Sequence, residues 1–477
     1  MAYRDLRSFL DDLRRTGDLL DVAEEVDWDL ELGAIARRAA EMDAPAILFR
    51  KIKDYPGFGI LENALASWCR FAVALGLPPD ISLRDLHREY EALLARPPLE
   101  PIVVDDAPCK MVKITGEDID LFRFPAPMLH EGDGGRYIGT WDIVVTRDID
   151  GSHTNWGTYR FMLHTEDLLA GWPSPVSHLG RSLRQQYLPQ KEPMPIAIVM
   201  GADPICHIAA ATPYPLRAEE AAQAGGLRGE PVELIKCETS DLLVPAGAEI
   251  VIEGEVLPNY ATMEGPYGEF PGYRSGHMGA GILVQVKAIT HRPNPILTVD
   301  CTGYKDGGAF AAPIGTAVSF RQALQRRGFP VVDVHMPVEG CAHLMVVSVE
   351  EGGRHMAEEL ASIMHTAGRL VVSKLIMVDA DVDVFDLDAV LHALATKCHP
   401  GRGIIIHQLE GSGQALTPYY DEEERARRQH WTAVMDCTWP AHWDRREVPV
   451  KANFETTYSQ EIQEKVLAKW QRYGFIR

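Results

Sequence analysis

Long apolar runs are missing from this sequence: none of its stretches approaches the roughly 20 consecutive apolar residues that a membrane-spanning helix needs. The opening residues, Met1-Ala2-Tyr3-Arg4-Asp5-Leu6-Arg7, mix charge signs and lead into no apolar core, so they do not read as a secretory signal. Positive charge is scarce too. Lys and Arg total 47 against 68 Asp and Glu, a net charge of −21. Binding to phosphate backbones or anionic lipid relies on excess Lys and Arg, so neither nucleic acid nor a membrane is an expected partner. Cysteines are few and scattered: the eight (69, 109, 206, 237, 301, 341, 398 and 437) include no Cys-x-x-Cys pair. That pattern reads as reduced, mostly buried thiols of a cytoplasmic protein.

Several familiar site patterns are absent as well. Gly276 to Gly281 lacks the preceding strand and the following helix of a dinucleotide fingerprint, and there is no Walker-type phosphate loop. His207 beside Cys206 lacks the partners of a zinc site. No Ser-His-Asp or Cys-His hydrolase pattern stands out, nor any repeat or low-complexity tract.

What is present is a globular composition, 46% apolar and 24% charged, which excludes wholesale disorder. At about 100–200 residues per domain, the 477 residues predict about three domains. Leu6, Phe9, Leu10 and Leu13 fall at helical spacing, with Gly17 placed to end the helix. Pro97, Pro98 and Pro101 mark a boundary. From about 101 to 300 short β-like runs dominate, which favours a barrel or sandwich with helical insertions. After about 305 the pattern becomes a βαβ unit: strand 344–350, a helix carrying Met356, Leu360, Ile363 and Met364, then strand 370–378. The charge run Asp421 to Arg428 reads as a solvated helix face. At the end, Thr457 and Gln460 form a predicted capping box, Ile462, Val466, Trp470 and Tyr473 line one face, and Gly474 is the stop. Such a helix packs on its own domain or on another subunit.

The segment Met263-Glu264-Gly265-Pro266-Tyr267-Gly268-Glu269-Phe270-Pro271-Gly272-Tyr273 is the most unusual. Its glycines and prolines forbid regular structure, so a tight loop could bring Glu264 and Glu269 into one cavity for acid/base work. A turn with solvent-facing acids is the alternative, and glycosidases also pair carboxylates. The stretch Thr154-Asn155-Trp156-Gly157-Thr158-Tyr159-Arg160 sets an Arg in aromatic surroundings, where burial demands an anionic partner. His178 and the pair Glu219-Glu220 are not distinguished by spacing from a structural His and a helix face.

Together these segments resemble the UbiD family of reversible decarboxylases that use prenylated FMN. The likeness spans essentially the whole chain. It rests on Asn155 to Arg160, His178, Glu220 ahead of Ala-Gly-Gly-Leu-Arg-Gly, the Glu-Gly-Pro-Tyr-Gly-Glu loop, and Arg123-Phe-Pro-Ala-Pro with Gly134-Gly-Arg-Tyr137. The resemblance implies a multidomain α+β fold: an N-terminal α/β domain (1–100), a central split β-barrel like those of flavin reductases (101–305), a C-terminal α/β domain (306–450) and a terminal helix (451–477) exchanged between subunits. A homodimer or homohexamer follows from it.

It also implies that Asn155, His178 and Glu220 hold Mn²⁺ or Mg²⁺ bridging to the cofactor phosphate, a mixed O/N set that suits such ions. K⁺ would sit near backbone oxygens of Trp156 and of Ala210-Ala211. Thr158, Tyr159 and Ser177 would touch the flavin. Arg160 would pair with Glu264 and orient the substrate carboxylate, and Glu269 would be the proton donor. The implied reaction is decarboxylation of an aromatic, heteroaromatic or α,β-unsaturated acid through a covalent substrate–flavin adduct, releasing CO₂, with a flavin prenyltransferase supplying the cofactor. Pocket-lining residues are expected near Phe270, in Gly307 to Pro313 and in Gly413 to Tyr420, whose small and apolar mix fits a flat hydrophobic acid. A flavin-phosphate-binding redox protein on a split barrel is the runner-up; it has no need of Arg160, Glu264 and Glu269 together.

Overall fold

A computed structural model describes residues 3–274, 280–366, 372–410, 416–444 and 446–475. The first helix, Leu6–Thr16, buries Leu6, Phe9, Leu10 and Leu13, the stripe read from the sequence. Asp5 and Ser8 close a capping box at its start, and Gly17 ends it at φ 81°, a left-handed conformation that glycine adopts without strain. Behind it lies a four-stranded sheet in the order Leu19–Val26, Ala46–Ile52, Gly59–Glu62, Ile296–Val299. The fourth strand arrives from far along the chain and pairs in parallel with Gly59–Glu62. Backbone hydrogen bonds therefore tie the N-terminal region to the central one.

The pairings of the central sheet are antiparallel, and most join strands that are not consecutive in the chain. Its strand order is Tyr137–Gly139, Phe161–Leu163, Leu168–Gly171, Ala280–His291, Ile250–Met263, Met194–Met200, Ile143–Arg147, Thr154–Gly157, with Val112–Thr115 also paired to Ala280–His291. The last strand in this order, Thr154–Gly157, is followed directly by the second, Phe161–Leu163. Four residue steps at roughly 3.5 Å each cannot cross more than about 14 Å, so the sheet must roll until its two ends nearly meet. Residues 158–160 close that roll. Alternate residues of Ile143–Arg147 then serve two cores: Ile143 and Val145 pack with Trp156 and the helix Pro204–Ala211, while Val144 faces the inside of the roll with Tyr137 and Phe161.

A five-stranded sheet follows, ordered Val331–His335, Leu344–Val349, Lys374–Asp379, His430–Cys437, Ile404–Leu409. Leu344–Val349 and Lys374–Asp379 are parallel, and the helix Arg354–Thr366 crosses between them and buries Ala357, Leu360 and Met364. This is the βαβ unit read from the sequence; residues 367–371, where its second strand was expected to begin, lie outside the described residues. The charge run forms the short helix Glu422–Ala426, with no buried residue.

The C-terminal expectation needs correction. Thr457 is the last residue of a four-residue helix, Phe454–Thr457, capped by Asn453. Ser459 takes the N-cap position of a separate helix, Gln460–Leu467, and Trp470–Tyr473 form a 3₁₀ turn before Gly474. Tyr458 is extended, so no continuous helix runs from 457 to 473 and no capping box joins Thr457 to Gln460.

One buried carboxylate locks the N-terminal helix to the rolled sheet. Arg7 Nε and Nη2 donate to Glu249 Oε1 and Oε2 at 2.7 and 2.8 Å, and the Ile296 N–H donates to Oε2 at 3.1 Å. Glu249→Ala strands these donors and is expected to cost about 2 kcal/mol or more, read as a lower midpoint of urea unfolding. An unchanged midpoint would contradict this role.

Candidate active site

The long strand Ile250–Met263 ends on the pair Met263–Ala280, and the connection that follows begins with Glu264. Both acids of this loop turn inward: Glu264 is 0% exposed and Glu269 6%. The alternative of solvent-facing acids is thereby excluded. Arg160, next to the strand Phe161–Leu163, meets them. Its Nε and Nη2 donate to Glu264 Oε1 and Oε2 at 2.8 and 2.7 Å, a two-pronged pairing that a planar guanidinium is shaped to make. Its remaining arm, Nη1, ion-pairs with Glu269 Oε1. The rings of Tyr267 and Trp172 lie 5.1 and 5.5 Å from the guanidinium carbon, an apolar surround favourable to a cation.

Tyr137 adds a third donor to Glu264, its hydroxyl reaching Oε1 at 2.6 Å. Burial and the neighbouring Glu264 carboxylate push the Tyr137 phenol far above its ordinary value, so it stays protonated and donates. The loop backbone is gripped by the same segment. Gly134 N–H donates to Pro266 O at 2.7 Å, and Gly268 N–H to Asp133 Oδ1 at 3.0 Å. A Cβ at Gly134 would stand 2.2 Å from Gly265 O, so only glycine permits this approach.

A second cluster shares the strand that leads to Arg160. Asn155, on Thr154–Gly157, is buried, and His178 Nδ1–H donates to its Oδ1 at 2.7 Å. Glu220 opens the helix Glu220–Arg228, where the carboxylate lies close to the helix's positive end. Its Oε1 is 3.9 Å from His178 Nδ1, and its Oε2 accepts the Trp156 N–H at 2.9 Å. Burial raises the Glu220 carboxyl to about 7, and Asn155 Nδ2 is buried without a hydrogen-bond partner. The buried acid fits a nearby cation that would hold it ionised, and the orphaned amide N–H fits an anionic oxygen beside that cation. Among the described residues no group of three or more His, Cys, Asp or Glu forms a metal cluster; this set has two such residues and an amide. A cleft of about 220 Å³ opens beside it, lined by Asn155, His178, Arg147, Arg181 and Arg217.

The other expected cofactor contacts stand between the clusters. Thr158 Oγ1 donates to Asp142 O, Tyr159 N–H donates to Asp142 Oδ1, and the Tyr159 hydroxyl accepts Leu179 N–H. Ser177 caps the helix His178–Ser182. Trp156 packs in the core and faces Glu220 through its backbone N–H. Of the expected pocket lining, Phe270 stacks on His343 at 6.0 Å and Phe310 packs edge-on to Trp68 at 5.0 Å. Residues 413–415, like 276–279, lie outside the described residues.

Residues 102–305 match the domain described as 3-octaprenyl-4-hydroxybenzoate carboxy-lyase Rift-related, and residues 10–90 and 311–437 match the N-terminal and C-terminal domains of the same enzyme family. The pyrrole-2-carboxylic acid decarboxylase of Pseudomonas aeruginosa is 36% identical over 99% of this chain and 98% of its own length. The chain belongs to the UbiD family. The closed form of the vanillic acid decarboxylase of Sedimentibacter hydroxybenzoicus superposes with a TM-score of 0.88 at 30% identity, covering 99% of this chain and 100% of that one. The UbiD-class enzyme HmfF of Pelotomaculum thermopropionicum, in complex with FMN, gives 0.83 at 28% identity over 98% and 100%. An evolved dimeric form of HmfF in complex with prFMN gives 0.80 at 28% identity over 94% and 97%. This chain is accordingly a UbiD-family carboxy-lyase, a decarboxylase on a multidomain α+β fold with a curled central sheet.

Sequence reasoning left Tyr137, Asp133 and His130 of this UbiD chain without roles. In the sequence Tyr137 figures only as the end of the Gly134-Gly-Arg-Tyr137 stretch that helps carry the resemblance, and nothing in its spacing points to Glu264. Tyr137→Phe removes a hydrogen bond to a buried charge, worth about 1.5–3 kcal/mol, so decarboxylation is expected to slow about 10- to 100-fold with flavin content unchanged. Wild-type turnover in this variant would show that the hydroxyl is dispensable.

Proposed function

We propose that the chain is a reversible, non-oxidative decarboxylase of an aromatic, heteroaromatic or α,β-unsaturated carboxylic acid, working with prenylated FMN and a Glu264–Arg160–Glu269 triad. The observation that carries the reading is one guanidinium, Arg160, with its side chain only 10% exposed, shared by two buried carboxylates. Relatives named for pyrrole-2-carboxylic, ferulic and phenolic acids support the substrate class, and the FMN and prFMN complexes of HmfF support the cofactor.

The three residues divide the work by their bonding. Glu264 accepts from Arg160 Nε and Nη2 and from Tyr137, so it orients. Held in that way, Arg160 presents a fixed positive edge to the substrate carboxylate. Glu269 has no such set of donors: its contact is the third arm of Arg160, and a carboxyl with that freedom can move a proton. When bound, prenylated FMN supplies the electron sink for the charge left as CO₂ departs. Glu269, protonated from solvent once the substrate carboxylate engages Arg160, delivers that proton to the carbon that carried the carboxylate, and in carboxylation it takes the proton back. Tyr267 and Trp172 give this exchange an apolar surround beside Arg160.

Asn155, His178 and Glu220 would hold Mn²⁺ or Mg²⁺ against the cofactor phosphate, with K⁺ near the backbone of Trp156 and Ala210-Ala211; Thr158, Tyr159 and Ser177 would line the flavin. A local cation is how a chain of net charge −21 seats a phosphate. The proposed division is 1–100, 101–305 as a split β-barrel, 306–450, and a terminal segment 451–477 that packs on a second subunit as a homodimer or homohexamer. Exposed Ile462, Leu467 and Tyr473 support that last placement. A flavin prenyltransferase would supply the cofactor, and a cytoplasmic setting accords with the unpaired cysteines.

The direct test is Glu269→Gln in protein co-expressed with a flavin prenyltransferase. Loss of the transferable proton is expected to lower CO₂ release by about 10²-fold or more, with bound flavin retained. Turnover near the wild-type rate would remove Glu269 from the role of proton donor.

A further inference from the structure

Behind the Glu264–Glu269 loop lies a chain of polar groups that touches neither Arg160 nor the Asn155 cluster. The Asp133 side chain is 0% exposed. Its Oδ1 accepts the N–H of Gly268, the residue immediately before Glu269, at 3.0 Å. Its Oδ2 accepts the His130 backbone N–H at 3.2 Å and faces His130 Nδ1 at 3.0 Å. A carboxylate oxygen at that distance sets Nδ1 as the protonated nitrogen. At the other side of the ring, Nε2 lies 3.4 Å from Cys301 Sγ. The Asp133 contact therefore holds the imidazole, and it presses on the loop: a Cβ at position 268 would stand 2.5 Å from it. Next door, the Tyr267 hydroxyl is bonded to Thr302 Oγ1 at 2.6 Å.

Glu264 has its own anchors in Arg160 and Tyr137. The half of the loop that carries Glu269 has Asp133. We propose that Asp133, oriented by His130, is the positioning residue for the proton-transferring carboxyl of Glu269; this rests on the decarboxylase reading above. A buried carboxylate whose acceptor sites are all directed to neighbouring donors has one orientation, and it hands that orientation to the Gly268 peptide. Glu269 is the next residue, its Cα four bonds from the hydrogen-bonded Gly268 nitrogen, so its reach towards the substrate carbon starts one residue from a fixed hydrogen bond. Displacement of a reacting group by about 1 Å costs about 10²-fold in rate.

The test uses the holoenzyme and compares Asp133→Ala, Asp133→Asn and His130→Leu with wild type. The readouts are kcat per bound flavin, KM, the solvent deuterium isotope effect on kcat, and the melting midpoint. Asp133→Ala is expected to lose about 10²-fold in kcat per flavin, with KM little changed because Arg160 keeps its anchors. The isotope effect should rise as proton transfer from Glu269 becomes limiting. Asp133→Asn keeps an oxygen for the Gly268 N–H and should recover most of the rate; His130→Leu should fall between them. Wild-type kcat per flavin in all three, or losses that follow only the melting midpoint and flavin content with the isotope effect unmoved, would overturn the proposal. Absence of CO₂ release by wild type from any aromatic or unsaturated acid would instead overturn the decarboxylase reading, and this inference with it.

Discussion

Everything around the loop depends on how the charge of Arg160 is satisfied. A guanidinium with little exposure must be paired and hydrogen-bonded, or it costs far more than its packing returns. Here the pairing is made by a residue more than a hundred positions away, with both Glu264 oxygens engaged and Tyr137 completing the set. That one interaction joins the linker that closes the rolled sheet, the end of the strand Ile250–Met263 and the edge strand Tyr137–Gly139. Glu269 is recruited by the same cation, so the geometry of the proposed chemistry follows from the need to bury a charge.

The short segment 154–160 carries two tasks at once. Its strand half holds Asn155 and Trp156 beside His178 and Glu220; its linker half ends in Arg160. A ligand seated against both would span from the polar cleft to the triad, and the roll of the sheet fixes the separation. The raised Glu220 carboxyl and the unpartnered Asn155 amide N–H are costs at one end of that span; a cation would relieve the first, and an anionic oxygen beside it the second. Charge sign gives this a further reason: in so acidic a chain, an anionic group needs a locally assembled positive site.

Some of this could be read without coordinates. The stripe Leu6, Phe9, Leu10, Leu13 and the βαβ unit after 340 follow from periodicity, which is a local property. The Glu264–Glu269 loop was visible because glycine and proline forbid any regular alternative. The return of Ile296–Val299 to pair with Gly59–Glu62 was not visible, since a short apolar strand carries no label for its partner. The C-terminal helix was misread because Thr457 and Ser459 compete for one cap, and the extended Tyr458 between them decides for Ser459. Asp133 and His130 were hidden for another reason: they sit in a Gly-rich turn where polar residues are ordinary, and only the fold brings them under Gly268.

The central claim is that one forked cation must serve both carboxylates. Arg160→Lys keeps the charge and removes the fork, so it separates geometry from electrostatics. With flavin-loaded protein and CO₂ release followed across a panel of aromatic and unsaturated acids, the account predicts a loss of at least about 10²-fold in kcat/KM with flavin still bound. A lysine variant that decarboxylates at the wild-type rate would contradict it.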